Sequence, residues 1–206
     1  MKVLIINGSP KANGNTALAL EEARKVFEEN GVDVHYAHVG HLAIRGCTAC
    51  GACHNGKDGC VIDDVVNEIA AVLEECDGMI VASPVYYANA NATLVALLDR
   101  LFYSTKFDKR MKVGASVVVA RRGGASATFD QLNKYFTYSG MPLASSQYWN
   151  SVHGGAPGEA AEDLEGLQTV RTLANNMVFL MKSIALGKEK FGLPTKEKPE
   201  RTSFVR

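Results

Sequence analysis

The chain has 206 residues, 47% of them hydrophobic, and lysine plus arginine equals aspartate plus glutamate at 22 each. That length and apolar content suit one folded domain, argue against disorder, and leave no global field for nucleic acid or an anionic membrane surface. No basic segment followed by a long apolar run opens the chain, and no window approaches the ~18 apolar residues of a membrane span. The expectation is a cytoplasmic protein whose thiols stay reduced.

"KVLIIN" (2–7) is a continuous apolar run, as in a strand buried on both faces. "GSPKANGNT" (8–16) is rich in turn residues. "TALALEEARKVFEEN" (16–30) places Leu18, Leu20, Ala23, Val26 and Phe27 at roughly helical spacing, and Asn30-Gly31 stops that helix. "VDVHYAHV" (32–39) reads as a second strand. Residues 40–61 show no periodicity and hold four cysteines. Asp63 is the expected N-cap of a helix over 64–76. Cys76, at its end, reads as a buried apolar residue. "GMIVAS" (78–83) is a third buried strand, "PVYYANANA" a loop, and "TLVALLDRLFYS" (93–104) a helix. Asp99 and Arg100 lie within that helix and read as structural residues.

"MKVGASVVVA" (111–120) is a fourth strand, "RRGGAS" (121–126) a Gly-rich loop and "ATFDQLNKYFTYSG" (127–140) a helix. The fifth strand is expected within "PLASSQYWNSV" (142–152), and a long helix over 162–187 after the loop "HGGAPGE". The remainder, 188–206, is charged, broken by prolines, and reads as a tail or arm beyond a single domain of 1–187.

Strand and helix alternate five times, the mark of a parallel sheet with helices on both faces. Five strands fit an α/β, flavodoxin-like three-layer sandwich with a five-stranded parallel sheet in the order 2-1-3-4-5. Its ligand lies beyond the carboxyl ends of the strands. The polar, Gly-rich loops after strands 1, 3 and 4 would line one crevice there.

"GSPKANGNT" is neither a dinucleotide fingerprint nor a Walker A loop: Asn15 stands where lysine belongs. It still joins a buried strand to a helix N-terminus, whose free N–H groups and partial positive charge favour an anion. Ser9 and Thr16 add hydroxyls, Asn13 and Asn15 add amides, and Lys11 adds a rim charge. The set suits a terminal phosphate monoester. An ordinary strand-to-helix turn reads the same way.

Cys47, Cys50 and Cys53 recur every three residues, and Cys60 follows after six more. Structural zinc sites more often use two separate C-x-x-C knuckles. Consecutive C-x2-C-x2-C is the spacing of bacterial cluster loops, with the fourth cysteine contributed separately. A [4Fe-4S] cluster, redox-active thiols and zinc all stay open on spacing. An unstructured connection of this length is uncommon in a compact domain unless it has a function.

"GSPKANGNT", "SPVYYANANATLVALLDR" (83–100), "VVVARRGGASATFDQLNKYF" (117–136), "YWN" (148–150) and "EDLEGLQTVRTLANN" (162–176) resemble the loops of the NADPH-dependent FMN reductase branch of the flavodoxin-like superfamily. With the cysteine loop added, the chain is most similar to the iron–sulfur flavoprotein group over residues 1–187. The resemblance implies an oxidoreductase with FMN phosphate at Ser9, Lys11, Asn13, Asn15 and Thr16. It implies ribityl and ring contacts from Pro84, Val85, Tyr86 and Tyr87. It puts Arg121, Arg122, Gly123 and Gly124 at the flavin's polar edge or at a nicotinamide phosphate. It also implies a [4Fe-4S] cluster on Cys47, Cys50, Cys53 and Cys60, and a homodimer or homotetramer with Tyr148 and Trp149 on its exposed surface. The implied activity is electron transfer between a donor, NAD(P)H or a ferredoxin-like protein, and a small acceptor. A cluster-free NAD(P)H-dependent flavin or quinone reductase and a non-catalytic redox sensor are the alternatives.

Overall fold

The structure is a computed structural model, and it describes residues 1–200 and 202–204. Five parallel strands make the sheet: β1 (Lys2–Asn7), β2 (Asp33–His38), β3 (Gly78–Tyr86), β5 (Val113–Ala120) and β6 (Ser151–His153), in the order β2-β1-β3-β5-β6. A sixth, two-residue strand, β4 (Asn89–Ala90), pairs antiparallel with β3. The expected five-strand order is therefore present, with β4 as an addition.

Alternation along the strands builds two cores, because successive side chains point to opposite faces. Val3, Ile5, Ile80 and Val117 face α1 (Asn15–Glu29) and α5 (Leu164–Phe191). Leu4, Ile6, Met79 and Val118 face α2 (Val65–Glu75), α3 (Ala92–Ser104) and α4 (Ala125–Tyr138). Cys76 is buried in the second core, as expected of an apolar residue. Among the described residues no helix is long and apolar enough to cross a membrane.

Four local expectations need correction. The N-cap of α2 is Asp64 rather than Asp63, and its carboxylate accepts from the Val66 N–H at 3.1 Å. Strand β3 does not stop at Ser83; it runs through Pro84 to Tyr86 and turns back into β4. The fifth strand is three residues long. Ahead of it, residues 142–150 touch the sheet at the Gly114–Leu143 bridge and at Asn150, whose amide donates to the Ser116 carbonyl at 3.0 Å and whose own carbonyl accepts from the Val118 N–H at 2.9 Å. Helix α5 continues to Phe191, four residues past the expected 187. Of the expected tail, residues 201, 205 and 206 lie outside the described residues.

Candidate functional site

The carboxyl ends of β1, β3, β5 and β6 open onto one crevice, and loops from all four meet there. Gly8 donates its N–H to the Ala82 carbonyl at 2.8 Å, so the first loop starts against β3. A Cβ on Gly124, whose φ is +91°, would stand 2.9 Å from Ala88 and 3.0 Å from Val85. The loop after β5 therefore presses on the β3–β4 hairpin. Tyr87 and Ala88 both have positive φ, 50° and 59°, as a two-residue type I′ turn requires. Neither is a residue that favours that conformation, so the hairpin tip carries backbone strain.

The first loop is built to present N–H groups. Helix α1 starts at Gly14 with no side-chain cap and no acid in its first turn. Helices α2, α3 and α5 are capped by Asp64, Asn91 and Asp163. Uncapped, the first amides of α1 carry partial positive charge into the crevice. Ser9 and Thr16 are buried beside them. The Thr16 hydroxyl has no hydrogen-bond partner among the described residues, and the Ser9 hydroxyl accepts from the Lys11 N–H at 3.2 Å. Lys11 and Asn13 stand exposed at the rim. Open amides and free hydroxyls fit a phosphate monoester.

Asn15 has a different neighbourhood from the one expected. Its amide donates to the Ala156 carbonyl at 2.9 Å and accepts from the N–H groups of Gly158 and Ala160, at 2.9 and 3.3 Å. It ties α1 to the loop after β6, and its own backbone N–H stays at the helix start. That fourth loop drew no attention in the sequence. It packs on Arg121, and its Glu159 carboxylate accepts from the Gly155 and Ala156 N–H groups at 2.6 and 2.8 Å. The Ala156 and Gly155 N–H groups, with Arg121 nearby, hold Glu159 below the usual carboxylate range.

The remaining candidates sit on the loops after β3 and β5. Pro84 and Val85 are half-buried, and Tyr86 and Tyr87 are exposed on the hairpin. Arg121, Arg122 and Gly123 are exposed before α4, whose N-cap, Gly124, supplies no side-chain bond. Of the helices that follow these loops, α1 and α4 start without a side-chain cap.

Three residues the sequence did not single out hold the first loop in place. Asn91 caps α3 and donates to the Gly8 carbonyl at 2.6 Å. Gly40 lies so close that a Cβ there would meet the Gly8 oxygen at 2.2 Å. His38 places its Nε2 2.7 Å from the Ser9 carbonyl oxygen. An asparagine just before a helix signals a cap; nothing local signals its long-range partner.

The cysteine loop leaves β2 at the sheet edge and returns into α2. Cys47, Cys50, Cys53 and Cys60 line one cavity of about 20 Å³, together with Arg100 and Ser104 of α3. Positive φ at Ala49, Gly51, Gly56 and Gly59 lets the chain curl around it. The Ala49 N–H donates to Cys47 Sγ at 3.4 Å. Arg100 is 1% exposed and uses all five N–H groups. It donates to Cys60 Sγ at 3.3 Å, twice to Asp64 at 2.6 and 2.9 Å, and to the carbonyls of Arg45 and Ile62 at 3.1 and 3.2 Å. It thereby grips the loop on both sides of the cysteines. Burial works to raise the Asp64 pKa, and the Arg100 and Val66 hydrogen bonds outweigh it and hold the carboxyl low.

Among the described residues no three His, Cys, Asp or Glu side chains come together as ligands of a single metal ion. A cubane takes one thiolate at each of four separated corners. Four cysteines around one cavity, with N–H donors aimed at the sulfurs of Cys47 and Cys60, fit that group in chemical kind.

Residues 1–156 match the family described as NADPH-dependent FMN reductase. An iron-sulfur flavoprotein of Methanocaldococcus jannaschii is 34% identical over 193 residues, covering 89% of this chain and 99% of the relative. An iron-sulfur flavoprotein of Methanosarcina thermophila is 34% identical over 195 residues, covering 92% and 100%. Among solved structures, an NAD(P)H:quinone oxidoreductase from Methanothermobacter marburgensis superposes with a TM-score of 0.67 at 15% identity, covering 86% of this chain and 96% of that one. With its flavodoxin-like sheet and its match over residues 1–156, the chain belongs to the NADPH-dependent FMN reductase family of flavin-dependent oxidoreductases.

Proposed function

We propose that this chain moves electrons between a reduced donor, NAD(P)H or a small ferredoxin-like protein, and a small acceptor, using FMN in the crevice and a [4Fe-4S] cluster on Cys47, Cys50, Cys53 and Cys60. The observation that carries the reading is the shared cavity of the four cysteines, closed from behind by Arg100. When bound, FMN supplies hydride acceptance and single-electron release, and a cluster supplies one-electron storage. The names of the two relatives that span nearly the whole chain support the pairing.

In this reading the protein's own groups bind and orient. The α1 amides, Ser9 and Thr16 hold the phosphate, with Lys11 and Asn13 at the rim. Asn15 contributes its backbone N–H while its side chain anchors the loop after β6. Pro84 stiffens the hairpin, and Val85, Tyr86 and Tyr87 offer apolar cover for a ring. Gly123, Gly124 and the open start of α4, with Arg121 and Arg122, put positive potential at the ring's polar edge or at a nicotinamide phosphate. Tyr148 and Trp149, in contact at 4.9 Å and exposed, are the surface offered to a second copy of the chain.

The test is an anaerobic preparation assayed for flavin, iron and sulfide. About four iron per chain, lost in Cys50→Ser and Cys53→Ser while flavin remains, is expected. Flavin with no iron after anaerobic reconstitution would leave the second reading, a cluster-free NAD(P)H-dependent reductase, which the small size of the cavity favours.

A further inference from the structure

Helix α3 turns two side chains toward the cysteine cavity, and one of them has no partner. Arg100 and Ser104 are four residues apart, so a single helical turn sets them side by side. Ser104 is 3% exposed. Its Oγ is the buried side-chain polar atom without a hydrogen-bond partner among the described residues. A hydroxyl in a helix normally turns back to the carbonyl four residues earlier. The next residue, Thr105, does so, donating to the Leu101 carbonyl at 2.7 Å. Ser104 instead lines the cavity with the four cysteines. A buried hydroxyl left unmatched is costly unless something in the cavity accepts from it.

We propose that Arg100 and Ser104 are positioning residues that donate hydrogen bonds to sulfur in this cavity: Arg100 to Cys60 Sγ, and Ser104 to a second sulfur of the group held there. The inference rests on the cluster reading above and adds to it two residues outside the cysteine motif. Among the described residues no carboxylate lines the cavity, and the four cysteine sulfurs do. Donors aimed at sulfur stabilise the more negative, reduced state and raise the reduction potential.

The experiment compares wild type, Ser104→Ala and Ser104→Thr after anaerobic purification, reading iron per chain and the midpoint potential. Iron content is expected to be equal in all three. Ser104→Ala is expected to lose about tenfold in the reduction equilibrium constant, a shift of about 59 mV to the negative for one electron, and Ser104→Thr to return toward wild type. Iron-loaded Ser104→Ala with an unchanged potential overturns the inference and leaves the cluster reading standing. Wild type without iron overturns both.

Discussion

Replacing Gly40 with alanine is expected to push the first loop, proposed to hold the FMN phosphate, off the sheet. The new Cβ would stand 2.2 Å from the Gly8 carbonyl oxygen and 2.3 Å from the Ser9 carbonyl carbon and oxygen. All three are backbone atoms, so no flexible side chain can yield. Reaching ordinary contact requires a shift of more than about 1 Å, the kind of overpacking that costs about 1–3 kcal/mol. The displaced backbone is also held by four hydrogen bonds. Gly8 bonds Ala82 and Asn91, and Ser9 bonds Asn7 and His38, at 2.6–2.9 Å. Losing two of them adds about 2 kcal/mol. If half of a total near 4 kcal/mol falls on the bound state, the FMN dissociation constant rises about 30-fold. Quenching of flavin fluorescence on titration into deflavinated protein measures the first half, and a urea midpoint the second. Gly46→Ala is the control, because a Cβ there meets nothing within 4 Å. Gly40→Ala behaving like Gly46→Ala in both assays would refute the close-contact argument.

Thr16→Val removes a hydroxyl with no partner among the described residues, so stability should hold while FMN affinity falls about tenfold, the worth of one hydrogen bond to a phosphate oxygen; equal affinity would place the phosphate elsewhere. Asp64→Asn leaves the Arg100 charge buried without its partner, which costs about 3–5 kcal/mol, or roughly 10 °C in melting temperature. The folded-state pKa of Asp64 is depressed, so its contribution is complete above the unfolded value and is lost as pH falls through the folded one. Below about pH 4 the wild-type melting temperature should therefore drop more steeply than that of Asp64→Asn. Asn15→Ala cuts the three bonds to Ala156, Gly158 and Ala160, and faster limited proteolysis within 155–160 is expected, with FMN slowing it in wild type.

The sheet was legible because β1, β3 and β5 are long apolar runs, and their period and length have few other readings. Strand β6 was expected but not its bounds, because three residues carry it and the residues before it are fixed by side-chain bonds such as Ser146 to Asn150. The β3–β4 hairpin was hidden for another reason: Tyr87-Ala88 lacks the Asn-Gly chemistry that announces a type I′ turn. At the site, hydroxyls and glycines of the first loop could be read from type and position. Asn15 could not, since its partners lie more than 140 residues away. Arg100 was the hardest. Its place in mid-helix read as structural, which is right as far as it goes, and only the folded loop around it shows a cation buried to 1% and matched at every N–H.

Helix α3 works to a fixed length. Its cap, Asn91, grips the Gly8 carbonyl, and nine residues on, about 14 Å along the axis, Arg100 meets Cys60. One residue inserted between them would rotate Arg100 and Ser104 by about 100° and carry them away from the cysteines while the cap stayed put. The stretch between Cys53 and Cys60 is held more loosely: residues 54–58 are exposed, and their ties to the end of α3 are the His54 ring against Tyr103 and the Lys57 carbonyl, which accepts from Lys106. Length can drift in that outer span of the loop without disturbing either end of the rod. A chain of this design is free to vary the spacing to its last cysteine and bound to conserve the number of turns in α3.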